Sequence, residues 1–380
     1  MPGPLAGLLV ADFSRVLAGP YCTMLLADLG ADVIKVESPA GDDTRSWVPP
    51  VTEDGVSTYF LAINRNKRSV ALDLKDEGDR ALAQTLARRA DVFVENFKPG
   101  GLVKYGLGYE AVSTDNPSVV YASISGFGSG GAGKDLPGYD LIVQAMSGLM
   151  SLTGAPEGPP YRSGISVFDV IAGLHTAIAI LAALNHRNAT GEGQHLEASL
   201  MASALSGMVN QTSAYAAGGV VPFRMGNSHP SLFPYEPLPA SDGDLIVAAG
   251  NDTQFRKLCE VIGAPSLADD PRFATNPGRT EHREELRPLL AAKLRARSAA
   301  EWFDLLTSAG VPCGPINTVD AGVAFAEKIG LGPVITAGSG SRTRQAIRHP
   351  VTFSATPPSY PLAPPELDEH GDSIREWLAS

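Results

Sequence analysis

The sequence predicts an α/β protein with a large Rossmann-like, doubly wound domain and a second, smaller α/β domain. Three observations carry this expectation. Leu8 to Asp12 is a short apolar run ending in a polar turn. A helix carrying Met24, Leu25, Leu26 and Leu29 follows and stops at Gly30, and Asp32 to Glu37 is a second run of the same kind. Together these make a β-α-β unit with short connections. The pattern then repeats, with apolar runs at Asp91–Glu95 and Ser118–Ser125 and an amphipathic segment at Glu77–Arg89, as a parallel sheet with crossover helices requires. Finally, 380 residues suit two domains or one large α/β domain with an insertion.

Taken in order, Pro20 suits the first position of the first helix. Ser38 to Pro50 reads as a Pro/Gly/Asp loop. Tyr59–Asn64 and Ser69–Leu74 read as extended segments joined by the basic turn Asn64–Arg68. Within Glu77–Arg89, Leu82 and Leu86 stand at i,i+4. The Ser118–Ser125 strand ends in a glycine-rich loop, 126–133. A long apolar helix runs through Asp169 to Leu184, with Ser166 as its expected N-cap. At this length, with His175 inside, the apolar run reads as a buried helix rather than a membrane span. The polar turn 188–193, a strand over Gln194–Glu197 and a helix over Ala198–Gly207 follow. Composition shifts near Ala216–Gly219, which reads as a linker. Beyond it come a strand at Asp244–Ala249, helices at Thr253–Ile262, Glu281–Arg297 and Ala299–Ala309, and a strand at Val311–Ile316. The proline-rich stretch Thr356–Pro365 must lie extended, and Ser373–Leu378 forms a terminal helix. The expected organisation is a large domain of residues 1–200 plus 335–380, linkers at 201–224 and 321–334, and a small domain at 225–320.

A hydrophobic content of 44% with 19% charged residues describes a globular chain with a substantial core. The formal net charge of −11 argues against nucleic acid and anionic membrane surfaces as partners. Cys22, Cys259 and Cys313 lie far apart without metal spacing, so a reduced, cytoplasmic setting is expected. The start, Met1-Pro2-Gly3-Pro4, lacks the basic-then-apolar pattern of a signal peptide. No HExxH or compact ligand set occurs among the histidines, so no metal is expected. The absence of GxSxG argues against a nucleophile-elbow hydrolase.

Gly126-Phe127-Gly128-Ser129-Gly130-Gly131 fits GxGxxG and follows a strand. Pro137 nearby opposes the helix that a dinucleotide site requires, so nicotinamide binding is rejected. Arg15, Arg65, Lys67, Arg68, Lys75, Lys98 and Lys104 cluster near strand ends, where they suit phosphates or form a solvated rim. Asp169 is a lone acid among Val167, Phe168, Val170 and Ile171. Two readings stand for it: an acid supporting a helix start, or a dry carboxylate nucleophile. The Met225–Pro230 turn is explained by turn chemistry alone.

In order and spacing, these stretches resemble the family III CoA-transferases. The likeness runs through Val16–Pro20, Gly30–Glu37, Gly41–Arg45, Asn64–Ser69, Glu95–Gly100, Pro137–Asp140, Asp169, Gly193-Gln194 and Gly226–Pro230. That family includes formyl-CoA:oxalate, carnitine and bile-acid CoA-transferases, with the α-methylacyl-CoA racemases as relatives. The resemblance implies that Asp169 is the catalytic nucleophile and that coenzyme A arrives as an acyl-CoA substrate. It places Arg15, Leu17, Ala18, Arg45, Leu72, Lys75, Asn96, Phe97, Lys98 and Lys104 around CoA. It places Tyr139, Asp140, Gly226, Asn227, Ser228 and His229 around the acyl group or acid. It also implies a small carboxylic acid as second substrate and an interlocked homodimer.

Racemases of this fold resemble the chain but carry His-Asp where Tyr139-Asp140 stands. They also use a glutamate in the segment corresponding to Ala249–Asp252, where this chain offers only Asn251 or Asp252. Both departures favour transfer over an acyl-CoA racemase or epimerase, whose mark would be α-proton exchange without an acid acceptor. A non-catalytic CoA-binding protein of the same fold would bind CoA without turnover. Oxalate-using members resemble the chain but place glutamine where Leu17 stands. Leu17 cannot hydrogen-bond a second carboxylate, so a larger or less polar acid is expected.

Overall fold

The computed structural model describes residues 3–380; Met1 and Pro2, half of the N-terminal stretch read above, lie outside them. The chain forms two compact units. The first comprises the residues up to Leu149, Arg162–Val221 and Gly332–Ser380, and the second comprises Met150–Tyr161 and Pro222–Leu331.

In the first unit, six strands form one parallel sheet: β1 (Leu9–Asp12), β2 (Asp32–Glu37), β3 (Lys67–Ala71), β4 (Val92–Glu95), β5 (Val120–Ser125) and β6 (Gln194–Ser199). Their order is β3-β2-β1-β4-β5-β6. The helices between them are α1 (Ala18–Asp28), α2 (Thr58–Ile63), α3 (Glu77–Arg89), α4 (Tyr109–Asp115), α5 (Asp140–Met146), α6 (Leu149–Leu152, across the unit boundary) and α7 (Val167–Thr190). Side chains alternate across the strands. Val10, Val33, Val92, Val94, Val120 and Ala122 join one core with α1 and α7. Ala11, Ile34, Phe93 and Tyr121 join another with α3. A sheet covered on both faces explains why its strands read as continuous apolar runs. The order reverses between β1 and β4, which opens a crevice at the carboxyl ends of those strands.

Local readings differ from the structure in several places. Tyr59–Asn64 is not extended but forms most of α2. Phe60 and Ile63, at i,i+3, are 1% and 3% exposed, and that shared burial outweighs the strand preference of their side chains. Residues 201–224 are not simply a linker. They carry α8 (Leu200–Gly207) and α9 (Val209–Gly218), because Leu200 and Ala204 belong to the α1–α7 core. The glycine shift noted there is the end of α9, where Gly219 takes φ 65°. Residues 150–161 fall in the second unit, tied there by Gly226 N–H donating to Gly154 O at 3.1 Å and Arg224 Nε to Ala155 O at 3.3 Å. The apolar run around Asp169 extends into a 24-residue helix that is only partly buried. By length and composition α7 is long and apolar enough to cross a membrane. One face packs in the core, while Leu174, Ile178 and Leu181 are exposed.

Helix α7 lies closely against α1. A Cβ added to Gly173 would stand 2.6 Å from Ala18 O, and Gly173 is one turn beyond Asp169. Gly173→Ala is therefore expected to lower stability by about 1–2 kcal/mol, since overpacking outweighs the helix-propensity gain of alanine. Thermal unfolding checks the direction. Equal or higher stability would mean that α7 does not need this contact.

The second unit holds a three-stranded antiparallel sheet of β7 (Tyr235–Pro239), β8 (Asp244–Ala248) and β9 (Cys313–Pro315). Phe233, Phe255, Leu258, Leu286, Trp302 and Leu306 lie in its own core. The expected 321–334 linker contains the end of a helix, Val319–Lys328, and the start of a strand, Val334–Ser339.

Candidate active site

At the crevice of the first unit lies a cleft of about 620 Å³. The loop after β1 contributes Arg15 to Ala18, the loop after β4 Asn96 to Pro99, and the end of β5 Ile124 to Gly126. Tyr139, Asp140 and Asp169 complete the wall. Six of the ten residues expected around CoA are thus brought together with Asp169: Arg15, Leu17, Ala18, Asn96, Phe97 and Lys98.

Asp169 is the third residue of α7. Its carboxylate accepts no hydrogen bond and joins no ion pair among the described residues. Burial, and then the nearby Asp140 charge, push its pKa up to about 7. The first turn of a helix ordinarily favours a negative charge, and here desolvation outweighs that preference. The expected cap, Ser166, makes no side-chain capping bond. Asp140 performs the capping from another helix. Its Oδ1 accepts from Phe168 N–H at 2.8 Å and from Asp169 N–H at 3.2 Å, and its Oδ2 accepts from Gln144 Nε2. Asp140, expected beside the substrate, is thus a buried acid that fixes the start of α7. Tyr139 is exposed on the cleft wall. Gln144, which ties Asp140 to Ser163 N–H, carried no sequence signal.

The β1–α1 loop is held in an unfavourable shape. Val16 takes φ 69°, costly for a β-branched residue and stable only when its surroundings impose it. Asn96 imposes part of it. Its Oδ1 accepts from Arg15 N–H at 2.9 Å and its amide donates to Arg15 O at 2.7 Å. Asn96 therefore lines the cleft with its side chain already paired to backbone. Gly126 and Gly138 cross so closely that a Cβ on Gly126 would meet Gly138 Cα at 2.3 Å. That approach explains these glycines without a dinucleotide.

The remaining expected cations and apolar contacts sort by burial. Arg45 Nε and Nη2 bind Glu37 at 2.8 and 2.7 Å, and its guanidinium lies over Phe60. It lines a neighbouring cavity rather than this cleft. Leu72 is 2% exposed in the core. Lys75 and Lys104 are exposed and lie off the cleft wall. Arg65 is buried against Asp28 at 2.6 Å and Lys67 against Asp12 at 3.0 Å. Arg68 pairs with Asp32. The basic turn 64–68 is therefore largely internal, and burial pushes Lys67 down to about 8. By contrast, Arg15 with Asp43 and Lys98 with Asp135 form exposed pairs on the cleft. Exposed pairs contribute about 0–1 kcal/mol, so an incoming anion can replace their acids.

Tyr59 was missed by the sequence reading because its segment was read as extended. Burial first, then the Asp169 and Asp140 charges, raise its phenol pKa, opposed by a hydrogen bond with Ser166. Its aromatic neighbour Trp47, also missed, lines the cleft; no motif marks either.

Gly226, Asn227, Ser228 and His229 belong to the second unit, as a turn with Gly226 at φ 62° and Ser228 N–H donating to Met225 O. Ser228 Oγ donates to Glu236 at 2.5 Å. In the same unit, Asn251 caps the Asp252–Val261 helix and Asp252 pairs with Arg279. Both residues that stand in the segment of the racemase glutamate thus have structural partners. Among the described residues, no group of three or more His, Cys, Asp and Glu side chains is placed to hold a metal.

Comparison with known proteins gives concordant results. The model of CoA-transferase family III matches residues 5–371. The chain is 44% identical over 375 residues to a succinate–glutarate CoA-transferase of Agrobacterium fabrum, covering 97% of this chain and 94% of that one. It is 40% identical over 380 residues to an acetyl-CoA:oxalate CoA-transferase of Acetobacter aceti, covering 100% and 96%. The crystal structure of a CaiB/BaiF family protein from Brucella suis superposes with a TM-score of 0.89 at 43% identity over 100% of both chains.

Proposed function

Since the chain belongs to CoA-transferase family III, we propose that it moves CoA from an acyl-CoA donor to a carboxylic acid through covalent intermediates on Asp169. The observation that carries this reading is a desolvated carboxylate without a partner, opening onto a cleft of about 620 Å³. Such an oxygen is a stronger nucleophile than a hydrated one.

In the proposed course, the Asp169 carboxylate attacks the donor thioester carbonyl and expels CoA thiolate, leaving a mixed anhydride. The thiolate attacks the aspartyl carbonyl, which releases the donor acid and leaves an aspartyl-CoA thioester. The acceptor carboxylate attacks that thioester, forming a new anhydride and freeing the thiolate again. Thiolate attack on the acceptor carbonyl yields the new acyl-CoA and restores Asp169. No proton or electron need enter or leave. Water would destroy either anhydride, which gives the apolar surroundings of Asp169 their chemical purpose. Arg15 and Lys98 are the cations on the cleft best able to meet CoA phosphates, because their present acid partners are exposed and weakly held.

The relatives named for succinate, glutarate and oxalate support a dicarboxylic acid as acceptor, and Leu17 on the cleft wall favours one longer than oxalate. The exposed Leu174, Ile178 and Leu181 stripe of α7 suits coverage by a second copy, in keeping with a homodimer. Three free cysteines fit a reducing compartment.

The test is incubation with acyl-CoA donors and a panel of acids, followed by mass spectrometry for an aspartyl-CoA adduct at residue 169. Transfer without any adduct on this peptide would overturn the mechanism. A pH profile adds a second check. The nucleophile must be ionised, so kcat/KM is expected to rise with pH through about 7 and level off above it. A flat profile between pH 5.5 and 8 would contradict a raised carboxyl pKa.

A further inference from the structure

The basic turn 64–68 supplies nothing to the cleft wall. Its Lys67 lies instead against the β1–α1 loop, in an enclosed ion network with Asp12, Lys35 and Asp42. All four side chains are buried. Lys35 Nζ donates to Asp42 at 2.8 Å and to Ser14 O at 3.0 Å. Asp42 Oδ1 in turn accepts from Val16 N–H at 3.4 Å. Asp12 Oδ1 accepts from Ser14 N–H at 3.0 Å, and its Oδ2 accepts from Lys67 Nζ at 3.0 Å. Lys67 Nζ also donates to Pro20 O at 2.9 Å. The network therefore holds the main chain at Ser14, Val16 and Pro20. These anchors bracket residues 15–18, the part of the loop that lines the cleft.

Enclosed ion pairs contribute little net stability. Desolvation of both charges offsets their attraction, and well-packed apolar residues often replace such a pair without loss. Two pairs against one loop need another reason, and Val16 supplies it. Its φ of 69° is costly for a β-branched residue and persists only where neighbours impose it. Asn96 holds Arg15 from the loop after β4, and the ion network holds the chain on either side of Val16. We propose that Lys35 and Lys67 are positioning residues for CoA transfer. With Asp42 and Asp12 they keep the β1–α1 loop in the shape that sets Arg15, Leu17 and Ala18 in the cleft wall. Neither lysine lines that cleft; each acts through main-chain groups of the loop. The inference rests on this cleft being the place of transfer, and it is independent of the covalent course at Asp169.

The experiment removes each pair whole, because taking one partner alone strands a buried charge. One variant combines Lys35→Met with Asp42→Asn, the other Lys67→Met with Asp12→Asn. Asparagine keeps an acceptor for the N–H of Val16 or Ser14. Transfer by the folded full chain is measured with the acyl-CoA donor and acid that the panel above finds active. Each pair variant is expected to unfold near the wild-type temperature. Each is nevertheless expected to lose at least about 30-fold in kcat/KM, since a shift of about 1 Å at a site costs on the order of 10²-fold. The same exchanges are then made in a Val16→Gly background. Glycine takes a φ of 69° without strain, so the loop no longer has to be forced. The loss from either exchange is expected to shrink there to about threefold or less, the coupling that marks action through Val16. A network that only supported folding would give the same factor in both backgrounds. An unshrunk factor, or transfer within about threefold of wild type in a folded pair variant, would overturn the assignment. Failure of both pair variants to fold would make the network a stability device and overturn it as well. The two proposals fail separately. Full transfer by Asp169→Asn would remove the covalent course and leave the positioning test intact. Wild-type transfer by the pair variants beside an inactive Asp169→Asn would remove the positioning role alone.

Discussion

Replacing Asp169 by asparagine is expected to reduce CoA transfer by at least about 10³-fold, the scale on which loss of a covalent nucleophile is felt. Asparagine keeps the size and the backbone of the third residue of α7, so Phe168 and Asp169 N–H groups can still reach Asp140. What it removes is the anionic oxygen. No aspartyl-CoA adduct should form, while binding of free CoA should persist. The same substitution has an opposite effect on stability. The folded pKa of Asp169 lies at about 7, above its ordinary 3.8, so the folded state resists ionisation. Below about pH 3 both states hold the proton and no penalty exists. The penalty grows from there to pH 7 and is complete above it. Asp169→Asn should therefore stabilise the protein at pH 8, by about 4 kcal/mol, with the gain vanishing by about pH 3. An inactive variant whose stability gain over wild type is no larger at pH 8 than at pH 3 would show that the carboxylate is not desolvated. A variant retaining full transfer would remove Asp169 from the reaction.

Asp140→Ala is the second large effect, and it acts through position rather than chemistry. The substitution leaves two N–H groups at the start of α7 without their acceptor and frees Gln144. Loss of a cap of this kind costs about 2 kcal/mol. Fraying of the first turn displaces Asp169, and a displacement of about 1 Å costs about 10²-fold in rate. The pH profile distinguishes this from loss of a substrate ligand. Removing the Asp140 charge takes away one cause of the raised Asp169 pKa and leaves the larger one, desolvation. The inflection in residual activity should move to lower pH without reaching that of an exposed aspartate. Ser166→Ala is the control for capping: it caps nothing and gives up only its hydrogen bond with Tyr59, so it should cost about 1 kcal/mol or less. Should Ser166→Ala prove the more damaging, the capping assignment would be reversed.

Much of the first unit was legible because its signals are local. Leu9–Asp12, Asp32–Glu37, Val92–Glu95 and Val120–Ser125 are buried on both faces, so an apolar run is all that a reader needs. Asp169 stood out for the same reason, as one acid in an apolar setting. Cations were less legible. Sequence marks Arg65, Lys67 and Lys98 alike as basic residues near strand ends. Only the fold shows that the first two are enclosed with Asp28 and Asp12 while the third is on the cleft. Tyr59 failed for a related reason, since a short helix stabilised by two buried contacts has no pattern strong enough to outweigh strand preference.

Order and spacing of short motifs determined, from sequence alone, the fold class and the family resemblance, and that resemblance implies the role proposed for Asp169. These depend on chain-local patterns that survive without knowledge of neighbours. Tertiary structure alone decided which groups are free to act. Asp140 caps a helix it does not belong to, Asn96 clamps a loop that begins 81 positions away, and Lys67 is enclosed with an acid 55 positions away. Whether a polar group is available depends on who satisfies its hydrogen bonds and how far it is from water, and both are set by residues remote in the chain.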